Sequence, residues 1–198
     1  LMSDPWFFTR AMLRSRLSFI RGRTLDLGAG EQKYRSLVEQ ACSQYISIDA
    51  FSETDVRGDA STLPFKADVF DTIVCTQVIE HLQTPWVAMQ EIHRILKPGG
   101  HLLLSAPFLY PYHGSPYDYF RYTKNGLITL LKYGKLQVVK IDSMGSARLA
   151  FLEHLSHVAS DGRIKRRLVS ALHRIVAATE REGREHPNTD NHFVVARK

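Results

Sequence analysis

One segment, Leu25-Asp26-Leu27-Gly28-Ala29-Gly30, constrains the fold of this chain more than any other. It is a short apolar strand that breaks into a glycine turn. A helix follows, because Tyr34, Leu37, Val38 and Ala41 recur at i, i+3, i+4 and i+7. A second apolar run, Tyr45 to Ile48, then ends in an acid, Asp49. Strand, glycine turn, helix, strand and acid, in that order, describe the opening βαβ unit of an α/β sheet. The glycines let backbone approach a ligand where a Cβ would collide. An acid at the end of the second strand is placed to accept hydrogen bonds from the two hydroxyls of a ribose. The pattern therefore points to a pocket for a nucleoside-containing ligand.

The rest of the chain continues the alternation. Further strands are expected around Val56, at Val69 to Cys75, at His101 to Ser105, at Leu136 to Ile141 and at His192 to Ala196. The run Ile73-Val74-Cys75 is apolar on both faces, as a central parallel strand requires. Helices are marked by Leu13, Leu17 and Ile20; by Ala88, Ile92, Ile95 and Leu96; and by Leu127, Leu130 and Leu131. Asp4-Pro5 starts the first and Gly22 stops it; Pro98-Gly99-Gly100 stops the second. The third is capped by Thr123 and stopped by Gly134. A largely helical segment is expected over 147–182, with a break near Asp161-Gly162. Strands alternating with helices imply a parallel sheet covered on both faces. With 198 residues, 44% of them hydrophobic, the expectation is a single domain over 1–198. Within it, 1–22 is an N-terminal helix, 24–106 the ligand-binding core, 107–122 a lid, and 147–182 the helical segment before the last strand.

The ligand can be narrowed from the turn itself. A dinucleotide fingerprint, G-x-G-x-x-G, wants a third small residue where Lys33 stands. Glu31, at the helix start, would oppose a pyrophosphate. A nucleoside cofactor without phosphate fits better, and S-adenosylmethionine has a ribose, an adenine and a zwitterionic amino-acid end.

At this point the residues resemble a family, the class I S-adenosylmethionine-dependent methyltransferases of the type 11 group. Leu25 to Gly30 is similar to that family's motif I, and Asp49 to its ribose-binding acid. Gly58-Asp59-Ala60, followed by Leu63-Pro64-Phe65, resembles its adenine-side segment. Phe70-Asp71-Thr72-Ile73-Val74-Cys75 resembles its fourth strand, and Gln77-Val78-Ile79-Glu80-His81-Leu82 the stretch after it. Ile95-Leu96-Lys97-Pro98-Gly99-Gly100 resembles the turn before its fifth strand. These matches run in order through residues 24 to 106. Motif I often carries Cys or Ser where Ala29 stands, and Gly or Thr where Glu31 stands. The resemblance implies a Rossmann-like, seven-stranded, mostly parallel sheet in the order 3-2-1-4-5-7-6, helices on both faces, and the last strand antiparallel between five and six. It implies that S-adenosylmethionine is the cofactor, released as S-adenosylhomocysteine. It implies cofactor contacts from Asp26, Gly28, Ala29, Gly30, Asp49, Ala50, Asp59, Ala60, Thr76 and Gln77.

The acceptor side falls on residues 108–122. This stretch carries Phe108, Tyr110, Tyr112, Tyr117, Tyr119, Phe120 and Tyr122, with Pro107, Pro111 and Pro116, and with His113, Asp118 and Arg121. Following the fifth strand, it lies where it can cover a transferred methyl. Phe108, Phe120 and Tyr122 read as a satellite core pinning the loop. His113, Tyr117, Asp118 and Arg121 read either as a buried polar network or as substrate contacts. His113 to Thr123 resembles a His-Gly-x-Pro-x-Asp-Tyr-Phe-Arg-Tyr-Thr signature of a subgroup that includes small-molecule and saccharide-modifying enzymes. His81, after the fourth strand, is a second candidate beside the reacting methyl. An imidazole titrates near neutral pH, so His81, or His113 oriented by Asp118, can take a hydroxyl proton during O-methyl transfer. The candidate catalytic residues are thus His81, His113 and Asp118, with Tyr117, Arg121 and His113 as substrate contacts and no metal site.

Charge leaves partners open. Net charge is +6, concentrated in Arg10 to Arg23 and Arg163 to Arg174. That suggests nucleic acid, and an RNA methyltransferase is one alternative, but enzymes acting on base amino groups carry an Asn/Asp-Pro-Pro-Tyr/Phe motif where Thr76-Gln77-Val78-Ile79 stands. A small-molecule, saccharide or lipid-linked acceptor is therefore preferred over nucleic acid. A cofactor-binding protein without catalysis is a second alternative. Ile164, Leu168, Leu172 and Ile175 beside Arg163, Lys165, Arg166, Arg167 and Arg174 make a basic amphipathic helix over 163–176. Its apolar face fits packing on the sheet, or peripheral contact with an anionic membrane. There is no bilayer-length apolar run, no signal-like apolar core near the start, and no metal-ligand spacing of Cys42 and Cys75. A cytoplasmic protein is expected.

Overall fold

The computed structural model describes residues 7–114, 116–158, 171–172, 175–176 and 189–198. Seven strands form one sheet: β1 (Arg23–Leu27), β2 (Gln44–Asp49), β3 (Val56–Arg57), β4 (Phe70–Thr76), β5 (Leu96–Pro107), β6 (Gln137–Met144) and β7 (Asn191–Arg197). Their order is β3-β2-β1-β4-β5-β7-β6, as the resemblance implies. The pairs from β3 through β5 are parallel, and β7 runs antiparallel to both β5 and β6.

The two-residue strand period sorts the core onto two faces. Leu25, Leu27, Ile73, Cys75, Leu102, Leu104, Val194 and Ala196 belong to one buried cluster. It is closed by α3 (Pro85–Ile95), through Ala88, Met89, Ile92 and Ile95, and by α4 (Lys124–Tyr133), through Leu127 and Leu131. The alternate residues Val74, Leu103, Phe193 and Val195 face the other cluster, with Met12 and Leu13 of α1 (Phe7–Ser15) and Leu37 and Val38 of α2 (Arg35–Val38). Thr123 caps α4 as expected, its hydroxyl accepting from Gly126 N at 3.0 Å. A last described helix, α5 (Ala147–Val158), precedes β7.

Three elements differ from the periodicity. The helix after the glycine turn shrinks to the single turn of α2, because Gln32 sits in the left-handed region (φ 55°), which a helix cannot include. The N-terminal helix stops at Ser15. Arg16 leaves helical geometry (φ −120°) and turns its guanidinium onto Asp142 of β6 at 2.6 Å, and a 3-10 turn over Leu17–Phe19 follows. Pro98-Gly99-Gly100 does end α3, yet it lies inside β5 as a bulge, where pairing jumps from Phe70↔Leu96 to Thr72↔His101. Most of 159–188, including most of the basic amphipathic segment, lies outside the described residues, as do Asp4 and Pro5. No described helix is long and apolar enough to cross a membrane.

The consequence for chemistry is topological. Strands β1, β2 and β4 end together at Leu27, Asp49 and Thr76, and strand order reverses between β1 and β4. A crevice at that switch point is where open α/β sheets bind ligands.

Candidate functional site

The crevice is a cleft built around Gly28, Asp49, Phe51 and Gln77. These residues line both a cavity of about 410 Å³ toward the lid and an adjoining one of about 300 Å³ toward α2. Gly28 and Ala29 anchor the turn by donating to Ile48 O at 2.9 and 3.2 Å. Gly28 has φ +70°, and a Cβ there would meet Val78 Cγ2 at 2.4 Å. Gly30 has φ +51° and nothing within 4 Å of its Cβ position, so that position opens into free space. The two glycines thus serve different ends, one close packing and the other an open backbone edge.

Asp49 is fixed by three backbone N–H groups. Its Oδ1 accepts from Phe51 N (2.8 Å) and Ser52 N (2.9 Å), and its Oδ2 from Gly30 N (3.0 Å). Burial pushes the carboxyl up, but these donors outweigh it and hold it below the usual carboxylate range. A carboxylate has about four acceptor positions, so Oδ2 retains one for a ligand hydroxyl. Asp26 is the opposite case. Burial raises its carboxyl to about 6, against the hydrogen bond from Tyr45 OH (2.7 Å), and the charge of Asp49 adds to the rise. Gln77 ends β4 in the left-handed region (φ 55°), held by its N to Ser105 O and its Nε2 to Ser105 Oγ, both at 3.0 Å. All ten expected cofactor contacts line this cleft: Gly28, Asp49, Ala50, Asp59, Ala60 and Gln77 on the lid side, and Asp26, Ala29, Gly30 and Thr76 toward α2, where Gly28, Asp49 and Gln77 recur.

These features fit the cofactor. Gly30 leaves unfilled the space a side chain would take, Asp49 keeps an acceptor, and among the described residues no basic side chain forms a phosphate cradle at the turn. Among those residues the one lysine or arginine lining the cleft is Lys33, half-exposed and 3.4 Å from Glu31.

Across the cleft, Glu80, His81 and His113 converge. Glu80 and His81 lie in a 3-10 turn (Ile79–His81) after β4. The lid closes on that turn: Tyr119 N and Phe120 N donate to Glu80 O at 2.8 and 3.3 Å, and Tyr122 OH to Ile79 O at 3.1 Å. The Glu80 side chain is 0% exposed, and neither carboxylate oxygen has a hydrogen-bond partner among the described residues. Its Oε1 lies 3.8 Å from His81 Nε2 and 3.7 Å from His113 Nε2. Both imidazoles are oriented through Nδ1, His81 against Tyr117 O (2.6 Å) and His113 against Pro111 O (3.1 Å). A carbonyl only accepts, so an Nδ1 bonded to one carries a proton, while each Nε2 is turned toward Glu80 Oε1; Arg121 Nη2 also lies 3.3 Å from His113 Nδ1. Burial pulls the His113 pKa down, but Glu80, Pro111 O and Asp118 together outweigh it and leave it raised.

The lid is held by one guanidinium. Arg121 donates Nε to Tyr110 O, Nη1 to Phe120 O and Asp118 Oδ1, and Nη2 to Pro111 O and Asp118 Oδ2. All five of its N–H donors are used within the lid. Asp118 is buried, accepts from His113 N at 2.9 Å, and is held at about 2 by Arg121, against the upward push of burial. It therefore orients His113 mainly through the backbone; its Oδ2 lies 3.5 Å from the ring Nδ1. Of the expected acceptor residues, His81 and Tyr117 line the larger cavity, whereas Asp118 and Arg121 line a separate shallow pocket with Tyr119. Glu80 was not singled out from sequence. Its signal was its place beside His81 in the stretch Ile79-Glu80-His81-Leu82 that resembles the family.

Comparison with known proteins agrees with this geometry. The family model described as "Methyltransferase domain" matches residues 25–104. An uncharacterized methyltransferase of Mycobacterium marinum is 30% identical over 120 residues, 53% of this chain and 45% of that protein. The chain spans less than half the length of the first curated relatives it matches. A solved S-adenosylmethionine-dependent methyltransferase from Archaeoglobus fulgidus superposes with TM-score 0.65 at 14% identity, covering 100% of this chain and 96% of that one. A putative methyltransferase from Bacillus halodurans superposes with TM-score 0.62 at 15% identity, covering 99% of each. At such identities the superpositions establish the fold.

Proposed function

We propose that this chain, a class I S-adenosylmethionine-dependent methyltransferase by family and fold, transfers a methyl group to a hydroxyl of a small-molecule, saccharide or lipid-linked acceptor in the cytoplasm. The residues suited to hold the cofactor are Asp49 at the ribose, Asp59 and Ala60 at the adenine, and Gly28 to Gly30 with Asp26 at the amino-acid end. When bound, S-adenosylmethionine supplies an electrophilic methyl on a sulfonium and is released as S-adenosylhomocysteine. The chain's own task is to align an acceptor oxygen with that methyl and to dispose of the acceptor's proton. Alignment alone can account for much of the rate.

The observation that carries this reading is His81. It borders the same cleft as Asp49, its Nδ1 lies 2.6 Å from Tyr117 O, and its Nε2 lies 3.8 Å from the Glu80 carboxylate, which can support the positive charge formed when the ring takes a proton. A hydroxyl needs such a group and a preformed carbanion does not, which favours oxygen as the acceptor atom. The exposed rings of Tyr117 and Tyr119 on the lid edge offer flat apolar faces with polar rims, suited to a sugar. The unpaired cysteines Cys42 and Cys75 accord with a reducing compartment.

The test is transfer of label from S-[methyl-³H]adenosylmethionine to fractionated small molecules, saccharides and lipids. Labelling of a hydroxyl compound by the wild type, lost in His81→Ala while S-adenosylhomocysteine still binds, is expected. Labelling confined to RNA, or normal turnover in both His81→Ala and His113→Ala, would overturn the reading.

A further inference from the structure

We propose that Glu80, His81 and His113 form a binding site for one divalent first-row transition-metal ion at the acceptor wall of the cleft. The proposal rests on the methyl-transfer reading above and changes how the acceptor is activated: with an ion bound, His81 Nε2 is a ligand, and the ion takes over the activating role given to His81 as a base. Three independent features carry it.

The first is geometry. One donor atom from each residue lies within 4.8 Å of the other two, and Glu80 Oε1 is 3.8 and 3.7 Å from the two Nε2 atoms. A point equidistant from three such atoms is roughly 2.5 Å from each, a few tenths of an ångström beyond the 2.0–2.2 Å of imidazole and carboxylate ligands to such ions. A small side-chain contraction closes the site. The second is the orphaned carboxylate. Glu80 is fully buried and, among the described residues, neither oxygen has a hydrogen-bond partner within 3.5 Å, the two Nε2 atoms lying at 3.7 and 3.8 Å; a protein interior tolerates such a carboxylate only when a cation or proton compensates it. The third is the arrangement behind the ligands. Each imidazole sets its Nδ1 on a backbone carbonyl, Tyr117 O or Pro111 O, which leaves Nε2 turned toward Glu80. This is the outer support typical of metal-bound histidines. It is reinforced where Asp118, clamped by Arg121, holds His113 N.

Two imidazoles and one carboxylate favour zinc, iron, cobalt or nickel over magnesium or calcium, which prefer all-oxygen sites. Of the three, His81 borders the cavity and Glu80 is buried behind it, so an ion held on His81 Nε2 would be reached from the cleft on that side. There it would hold the acceptor hydroxyl and lower its pKa. The O–H proton leaves to solvent, the O–CH₃ bond forms as the S–CH₃ bond breaks, and the sulfur keeps the electron pair. The competing occupant is a proton, making a carboxylate–imidazolium pair.

The experiment uses the full chain, stripped with chelator and desalted, then titrated with Co²⁺ by visible absorption and with Zn²⁺ by calorimetry. S-Adenosylhomocysteine binding is measured on the same samples. One equivalent per chain with visible d–d bands is expected. Affinity should fall more than about 100-fold in Glu80→Gln and in His113→Ala, beyond the about 10–100-fold typical of outer-shell changes, and stay unchanged in His154→Ala. Substoichiometric or non-saturable uptake by the folded wild type overturns the site, whatever the variants do. So does uptake undiminished in Glu80→Gln. Metal binding without S-adenosylhomocysteine binding would instead overturn the methyl-transfer reading and leave the site standing. Methyl transfer that proceeds undiminished in the stripped protein would refute the activating role.

Discussion

Replacing Gly28 or Gly30 by alanine separates packing from ligand binding within a single turn. Both residues are left-handed, with φ +70° and +51°. An alanine at either therefore costs about 1–2 kcal/mol in backbone strain. At Gly30 the added methyl meets nothing within 4 Å, so the strain is the whole folding penalty. At Gly28 it arrives 2.4 Å from Val78 Cγ2 and 3.0 Å from Cγ1, so the residue that leads into the Glu80 turn must move. Overpacking of that kind adds about 1–3 kcal/mol. For a chain this size, where 1 kcal/mol shifts Tm by about 2–4 °C, Gly28→Ala should lower Tm by about 10 °C and Gly30→Ala by about 4 °C. Binding should rank the other way. The Gly30 methyl projects into the cleft, and a tenfold loss of S-adenosylhomocysteine affinity requires only about 1.4 kcal/mol. Scanning calorimetry and isothermal titration on the two variants measure both quantities. If Gly30→Ala binds S-adenosylhomocysteine as the wild type does, the open edge of the turn is not where the ligand lies. If Gly28→Ala is no less stable than Gly30→Ala, the contact with Val78 does not govern the turn.

Other outcomes follow from the buried charges. Asp118→Asn should destabilise the fold by about 3 kcal/mol, because it leaves the Arg121 guanidinium without its carboxylate, and denaturant unfolding measures this. In the wild type the Asp118 carboxyl is held at about 2 against an ordinary 3.8, so its stabilisation is complete above pH 4 and is lost as pH falls toward 2. Asp26 has the reverse sign. With its folded pKa raised from 3.8 to about 6, its charged form costs stability as pH rises through that window, reaching about 3 kcal/mol above pH 6. Asp26→Asn should therefore stabilise the ligand-free protein at pH 8 and leave it unchanged below pH 4. A pH series of urea melts that shows an equal gain at pH 3.5 and pH 8 would contradict the assignment.

What could be read from the chain divides along the line between local and long-range structure. The apolar runs Leu25 to Leu27 and Leu102 to Leu104, and the stops at Pro98 and Gly134, are local signals, and the strands and helices follow them. The antiparallel β7 between β5 and β6 is not local. It came from the resemblance, since periodicity says nothing of order or direction. Gln32 carries no sign of the left-handed conformation that shortens α2. Bulging of β5 at Gly99 depends on what β4 offers opposite it. The same limit governs the site. Gly28, Gly30 and Asp49 were legible because one βαβ unit brings them together. Glu80 and His113 are more than thirty residues apart, and only the path of the lid over the 3-10 turn makes them neighbours. Arg121 reads from the sequence either as part of a buried polar network or as a substrate contact, and only the folded lid shows where its donors go. Five lid acceptors, two from Asp118 and three backbone carbonyls, use them all.

The most direct test of the account is calorimetric titration of the full chain with S-adenosylmethionine, beside Asp49→Ala. Asp49 joins the turn, the end of β2 and the free acceptor oxygen in one carboxylate. The account predicts one saturable site per chain in the wild type and an affinity at least about tenfold weaker in Asp49→Ala, with the far-ultraviolet circular dichroism unchanged. No saturable binding by the folded wild type, or equal affinity in the variant, would contradict it.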